Sequence, residues 1–209
     1  MKNSTRLNRL QKQFELDDIL PLVGQSNGVF GEGSPEASIL LIGEAPGKKE
    51  DELRRPFVGR SGTMLTHWLS GIGIERSDVY ITNIVKRRPP ENRDPTLKEI
   101  EAYRPYLEKQ LEIIRPRVVV PIGRFAMNFF LPDVRISNAQ GKIFWCDKRI
   151  IMPVFHPAAA MRSARVKTEA IASFAKLQKV IEDYDQVYAL AKDYKDLTEI
   201  TAYAYGPVD

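Results

Sequence analysis

The feature that most limits the fold of this chain is a set of short apolar runs that no charged residue interrupts. Three of them cover residues 38–42, 118–122 and 150–155, and a weaker one covers residues 79–82. Continuous runs of this length, rich in β-branched residues, are typical of strands that are covered on both faces. They predict a central, mostly parallel four-stranded sheet.

Patterns of helical spacing separate these runs. Residues 96–114 begin with Thr96 as N-cap and have Glu99 three residues later, which is the pairing of a capping box. Three further helices are predicted over residues 62–69, 124–130 and 168–184. Because strands alternate with helices, we expect the α/β fold class, arranged as a three-layer α/β/α sandwich.

Length, charge and cysteine content exclude some classes of protein but do not indicate a function. A chain of 209 residues supports one well-buried core, so we expect a single domain over residues 1–209. No apolar run approaches the ~20 residues of a membrane helix, and residues 1–20 lack the apolar stretch of a secretory signal. The net charge of +4 is compatible with a nucleic-acid partner without requiring one. Cys146 is the only cysteine, which excludes a disulfide within the chain and an all-cysteine metal site.

Three segments of unusual composition begin where predicted strands end, at residues 43–47, 83–94 and 156–162. In α/β sheets, ligands bind beyond the carboxyl ends of the parallel strands. We therefore expect these segments to meet in one site.

The first segment opens the most specific pattern in the chain. It reads G-E-A-P-G-K-K-E-D over residues 43–51 and continues as R-P-F-V-G-R-S-G over residues 55–62. Glycine lets backbone approach a ligand closely, and proline fixes the course of a loop. The two halves together resemble the signature of the family 4 uracil-DNA glycosylases.

Two further segments are similar to the other motifs of that family. Asn83 with the basic loop after it resembles the second motif, and residues 156–162 resemble the third. The resemblance covers residues 29–184, which we take as the core. Residues 185–209 are then a C-terminal extension that wraps the body or is partly disordered.

The resemblance implies an enzyme that hydrolyses the N-glycosidic bond of a uracil flipped out of DNA, leaving an abasic site for base excision repair. Gly43 would line the uracil pocket, and Phe57 would stack on the extruded base. The amide of Asn83 would accept from uracil N3–H and donate to O4, a pattern that cytosine reverses. Glu50 would lie near C5 of the base and exclude the methyl group of thymine.

The residues expected to be catalytic are Glu44, Asn83 and His156, of which Glu44 and His156 act on the bond itself. His156 would donate to uracil O2 and stabilise the developing negative charge, an effect of ~3–4 kcal/mol for preorganised donors of this kind. Glu44 is the expected acid for positioning water or balancing the cationic sugar. The loop backbone, Glu50 and Asp51 remain alternatives for that second role.

The expected partner is uracil-containing DNA, single- or double-stranded, bound through phosphate-directed contacts. The basic loop after Asn83 is otherwise a solvated cluster of charges. We expect a monomer that works in the cytoplasm, associated with the nucleoid. The residues expected to contact DNA are Ser61, Lys86, Arg88, Arg93, Met161 and Arg162.

The chain departs from the family at one place. Members usually hold an iron–sulfur cluster on four cysteines, and the corresponding positions here are Asp17, Leu20, Arg87 and Tyr103. We therefore expect no 4Fe–4S cluster and no metal. Tyr103 and Leu20 are expected to pack as apolar groups, and Arg87 to be paired or solvent-facing.

Other interpretations stay open. A protein of the same fold could bind damaged DNA with little or no turnover. A relative that links covalently to DNA through a histidine of the basic loop is a poor match, because residues 86–94 contain no histidine. Glycine-rich loops also suit phosphate-binding α/β enzymes, but the chain lacks both G-x-x-x-x-G-K-[ST] and G-x-G-x-x-G in the first loop.

Overall fold

Seven strands form one sheet in the computed structural model, which describes residues 1–205. In chain order they are β1 (Glu32–Gly33), β2 (Ile39–Gly43), β3 (Tyr80–Asn83), β4 (Val118–Pro121), β5 (Phe144–Cys146), β6 (Arg149–Ile151) and β7 (Thr198–Glu199). Their spatial order is β1-β3-β2-β4-β6-β5-β7. Strands β3, β2, β4 and β6 are parallel to one another, whereas β1, β5 and β7 pair antiparallel.

The four predicted strands correspond to β2, β3, β4 and β6, which form the parallel centre of the sheet. The α/β class is confirmed, but the count of four strands is wrong. The additional strands β1, β5 and β7 contain two or three residues each. Strands β1 and β7 contain no apolar run, and the three apolar residues of β5 are fewer than the roughly four to eight that indicate a strand.

Nine helices accompany the sheet within the described residues. They are α1 (Asn3–Leu16), α2 (Lys48–Leu53), α3 (Arg60–Ser70), α4 (Leu97–Ile114), α5 (Arg124–Phe130), α6 (Ile136–Ala139), α7 (Pro157–Ala160), α8 (Ala164–Glu182) and α9 (Tyr184–Ala191). The capping box at the start of α4 is confirmed: Thr96 Oγ1 accepts from Glu99 N at 3.2 Å, and Glu99 Oε2 accepts from Thr96 N at 2.7 Å. None of these helices is long and apolar enough to cross a membrane.

Alternate side chains of the central strands enter two separate cores. Leu40 and Ile42 of β2 pack in one core with α1 and α4, whereas Leu41 packs in the other with α3 and α8. A strand directs successive side chains to opposite faces, so a strand buried on both sides is mostly apolar along its length. The result is the three-layer sandwich.

Both ends of the described chain pack on this body. Helix α1 lies against α4 and buries Leu7, Leu10 and Phe14. After α8, helix α9 and strand β7 continue the fold, and Ile200 and Tyr203 are buried. The predicted extension thus wraps the body as far as residue 205, and its residues 206–209 lie outside the described part.

Candidate active site

The three loops meet at the carboxyl end of the parallel strands. Gly43 ends β2, Asn83 ends β3, and His156 follows a bridge from Val154 to Ile122 that prolongs the pairing of β4 and β6. Strand β2 lies between β3 and β4, so the chain runs from β2 to its neighbour on one side and must then pass over β2 to reach its neighbour on the other side. α/β sheets bind ligands at such switch points.

Gly43 allows an aromatic ring and an amide to approach the end of β2. A Cβ atom at this position would lie 2.3 Å from Asn83 Oδ1 and 2.6 Å from Phe57 Cζ. Both distances are far below the ~3.5 Å of ordinary contact. Asn83 is 2% exposed and Phe57 is 7% exposed. Together they line a cavity of about 330 Å³.

Glu50 fixes the loop that carries Phe57. Its Oε1 accepts from the backbone N–H groups of Val58 at 2.9 Å and Gly59 at 2.7 Å. The carboxylate therefore binds the first amides after Phe57, and it also lines the cavity. Charge-assisted hydrogen bonds of this kind are roughly twice as strong as neutral ones.

His156 lines the same cavity as a neutral ring. Its Nδ1 accepts from Ala158 N at 3.1 Å, at the start of α7. Burial, and then the charge of Arg162, lowers the pKa of His156 to about 4. A neutral imidazole with an accepting Nδ1 carries its proton on Nε2. The ring centroid lies 6.0 Å from that of Phe57.

A second cavity of about 600 Å³ adjoins the first and shares His156 with it. Glu44, the residue after β2, lines it. Burial, and then the nearby Asp94, raises the pKa of Glu44 to about 7, against the opposing charge of Arg124. The acid is therefore close to half ionised at neutral pH.

The residues expected to contact DNA lie in three different settings. Arg93 and Arg162 are exposed and line the second cavity, and Met161 is exposed beside them. Ser61 lies in the first turn of α3 and lines the first cavity. Arg88 is half-buried, and its Nε donates to Asn92 Oδ1 at 2.8 Å.

Lys86 was expected to contact DNA, and that expectation is wrong. The residue is fully buried. Its Nζ donates to Thr82 Oγ1 at 2.6 Å, to Asn83 O at 2.7 Å and to Gln110 Oε1 at 2.6 Å. Burial holds the pKa of Lys86 well below its usual value. The basic run after Asn83 suggested one exposed loop, but its first residue turns inward beneath Asn83.

Other cations near the site have no counterpart among the sequence-based expectations. Lys48, Lys49 and Arg60 are exposed and line the first cavity, and Arg124 lines the second. Lys48, Lys49 and Arg60 stand inside the glycine-rich pattern itself. The sequence could have indicated Arg124 by its position, because it follows a strand and Gly123, as the other site loops follow strands.

Of the four positions that correspond to the family's cysteines, two follow α1, one lies in the loop after β3 and one lies in α4. Tyr103 and Leu20 are buried, as expected, and the Tyr103 hydroxyl donates to the Pro21 carbonyl. Arg87 is buried and paired: its Nη1 donates to Ser26 O at 2.5 Å, and its guanidinium lies over the Phe14 ring. The fourth position, Asp17, accepts from Tyr106 through its Oδ2 at 2.6 Å.

No group of three or more histidine, cysteine, aspartate or glutamate side chains within residues 1–205 is placed to hold a metal ion.

Comparison with known proteins identifies the family of the chain. Residues 30–183 match the family model of the Uracil DNA glycosylase superfamily. The chain belongs to this superfamily. A type-4 uracil-DNA glycosylase from Archaeoglobus fulgidus is 43% identical over 162 residues, which are 73% of this chain and 81% of that protein.

Two other members of the superfamily show how the similarity is distributed. A type-4 uracil-DNA glycosylase from Thermotoga maritima is 39% identical over 173 residues, 81% of this chain and 86% of that protein. A type-5 enzyme from Thermus thermophilus is 36% identical over 118 residues, 49% of this chain and 53% of that protein. The resemblance to family 4 seen in the sequence is confirmed.

Proposed function

We propose that this chain is a monofunctional uracil-DNA glycosylase, which hydrolyses the N-glycosidic bond of a uracil flipped out of DNA and initiates base excision repair. The observation that carries the proposal is the meeting of Phe57, Asn83 and His156 around one cavity at the end of β2. The type-4 relatives, named uracil-DNA glycosylases, support it.

Base selection belongs to Asn83 and Phe57. The buried amide needs partners, because an unpaired buried polar group costs ~1–3 kcal/mol. Uracil supplies them with N3–H and O4, whereas cytosine presents the opposite pattern. The Phe57 ring stacks on the face of the base. Glu50 acts through the loop it holds and lies at the cavity wall, where it excludes a C5 methyl group.

Bond cleavage belongs to His156. When the C1′–N1 bond breaks, its electron pair leaves with uracil, and negative charge develops on O2. The Nε2–H of the neutral ring donates to that oxygen. A ring whose pKa is about 4 does not protonate the anion at neutral pH, so it stabilises charge by a hydrogen bond.

Glu44 acts on the sugar side. Its carboxylate balances the oxocarbenium-like cation and accepts a proton from the water whose oxygen adds to C1′. Glu44 then releases that proton to solvent and the uracil anion takes one from solvent, so that one water is consumed and uracil and an abasic site are formed. The pKa of about 7 leaves both forms of Glu44 populated at neutral pH.

We propose that the chain holds no 4Fe–4S cluster. Such clusters are bound by cysteine thiolates, and the four corresponding positions offer a carboxylate, an alkyl group, a guanidinium and a phenol. Aromatic and cation–π contacts occupy that region instead. The purified protein is expected to contain no stoichiometric iron; four iron atoms per chain would contradict this.

DNA is bound, in this proposal, by the exposed cations around the two cavities together with Ser61, Arg88, Arg93, Met161 and Arg162. Contacts of this kind follow the phosphate backbone, so single- and double-stranded DNA are both substrates. We further propose one domain over residues 1–209 that works as a monomer in the cytoplasm, on the nucleoid.

The proposal is tested by release of free uracil from a labelled oligonucleotide, followed by alkaline cleavage at the abasic site. Single-stranded uracil, U·A and U·G substrates are compared with thymine, hypoxanthine and xanthine controls. Uracil release with no thymine release is expected. Tight binding to abasic DNA without any release of uracil would instead favour a damage-binding protein.

A further inference from the structure

Phe57 occupies a backbone conformation that needs support. Its φ is +50°, in the left-handed region where residues other than glycine are uncommon. Such a conformation persists at functional sites only when the surroundings hold it in place. The position of the Phe57 ring over Gly43 therefore depends on whatever fixes the backbone of residues 56–59.

Arg76 supplies one half of that support. Its Nη1 donates to Phe57 O at 3.0 Å, and its Nη2 donates to Pro56 O. The residue lies in the connection between α3 and β3, and its side chain is 19% exposed. Glu50 binds the amides that follow Phe57. The two side chains therefore hold the backbone on both sides of Phe57.

Glu32 on the edge strand β1 orients Arg76. Its Oε1 accepts from Arg76 Nε at 3.0 Å and from Nη2 at 2.8 Å. Burial works to raise the pKa of Glu32, but hydrogen bonds from Arg55 and Arg76 hold it below its usual value. A planar guanidinium can bind a carboxylate and two carbonyls at once, whereas an ammonium cannot reproduce that fork.

We infer that Arg76 is a positioning residue for uracil binding. Oriented by Glu32, it holds the carbonyls of Pro56 and Phe57 and keeps the Phe57 ring at the wall of the base pocket. This inference rests on the proposed function, because the ring matters only if a base stacks on it. Nothing in the three motifs points to Arg76, since it lies 44 residues from Glu32 and 19 from Phe57 along the chain.

Two substitutions and one matched control separate this role from general stabilisation. Arg76→Met removes every hydrogen bond of the guanidinium. Arg76→Lys keeps the positive charge but not the planar set of donors. Arg55→Met is the control: Arg55 also binds Glu32, at 2.7 Å, but neither of its hydrogen bonds goes to a carbonyl of the turn.

Stacking contributes to ground state and transition state alike, so its loss raises KM more than it lowers kcat. From the strength of base–aromatic stacking we expect KM for a uracil oligonucleotide to rise roughly tenfold in both Arg76 variants. In Arg55→Met it is expected to change by less than about threefold, as is usual for loss of an exposed ion pair. Where Arg76→Met is unfolded at the assay temperature, Arg76→Lys carries the test.

Amide hydrogen exchange without DNA gives a second readout that does not depend on catalysis. Val58 N–H and Gly59 N–H should exchange faster in the Arg76 variants than in the unmodified protein or in Arg55→Met. If the unmodified protein releases no uracil, the proposed function fails while exchange still tests the support of the turn. Unchanged KM and unchanged exchange in Arg76→Lys, or equal effects of Arg55→Met, would overturn the inference.

Discussion

Substitution of Gly43 by alanine tests the packing at the end of β2. The added Cβ would lie 2.3 Å from Asn83 Oδ1 and 2.6 Å from Phe57 Cζ, so both groups must retreat by about 1 Å to reach ordinary contact. Misplacement of an active-site group by ~1 Å can cost ~100-fold in rate. We therefore expect kcat/KM for uracil release to fall about 100-fold, which corresponds to about 2.7 kcal/mol.

The substitution should also lower the free energy of unfolding. Overpacking of a buried position costs ~1–3 kcal/mol, which urea denaturation measures. Gly71→Ala is the matched control. Gly71 has ordinary right-handed backbone angles, and a Cβ there would meet its nearest atoms at 3.4 Å. If Gly43→Ala retained kcat/KM within threefold of Gly71→Ala, the view that Gly43 shapes the pocket would be refuted.

Three further predictions follow from buried polar and aromatic groups. Because the pKa of Glu44 is about 7 and its carboxylate form is the active one, the single-turnover rate of uracil release should fall about tenfold per pH unit below pH 7 and level off above it. Glu44→Gln should abolish this acidic limb of the pH profile. An unchanged limb would exclude Glu44 as the titrating group. Lys86→Met should lower the free energy of unfolding by ~1–3 kcal/mol, since Gln110 and the Asn83 carbonyl lose a buried donor; urea denaturation with no loss would contradict that. Tyr103→Ala should lower the free energy of unfolding by ~3–5 kcal/mol and expose α1 to limited proteolysis, whereas Tyr103→Phe should lower it by only ~1 kcal/mol. Equal losses would show that the hydroxyl, not the ring, anchors α1.

The central strands and the loops at their carboxyl ends could be predicted from the sequence, because three of the four strands lie in continuous apolar runs, the fourth lies in a weaker one, and each loop begins where a run ends. Helix α4 could be predicted almost to the residue, because Thr96 and Glu99 announce its start. Helix α1 was not predicted. It buries only Leu7, Leu10 and Phe14 against α4, and the charged residues between them obscure the apolar spacing of a helix.

The environment of individual side chains was harder to predict than the fold. Lys86 stands in a basic run, and charge alone says that it is solvated. Its burial depends on partners from β3 and α4 that the sequence separates by up to 24 residues. Arg76 is a similar case, since its contacts come from β1 and from the Phe57 turn. Long-range pairing of this kind leaves no local pattern.

The most direct test compares the only two histidines of the chain. Single-turnover release of uracil from a single-stranded oligonucleotide would be measured for the unmodified protein, for His156→Ala and for His67→Ala. His156 lines the base cavity, whereas His67 is exposed on α3. We predict a loss of ~100- to 1,000-fold for His156→Ala and rates within twofold for His67→Ala. Equal rates for the two variants, or no uracil release by the unmodified protein, would contradict the proposed function of this site.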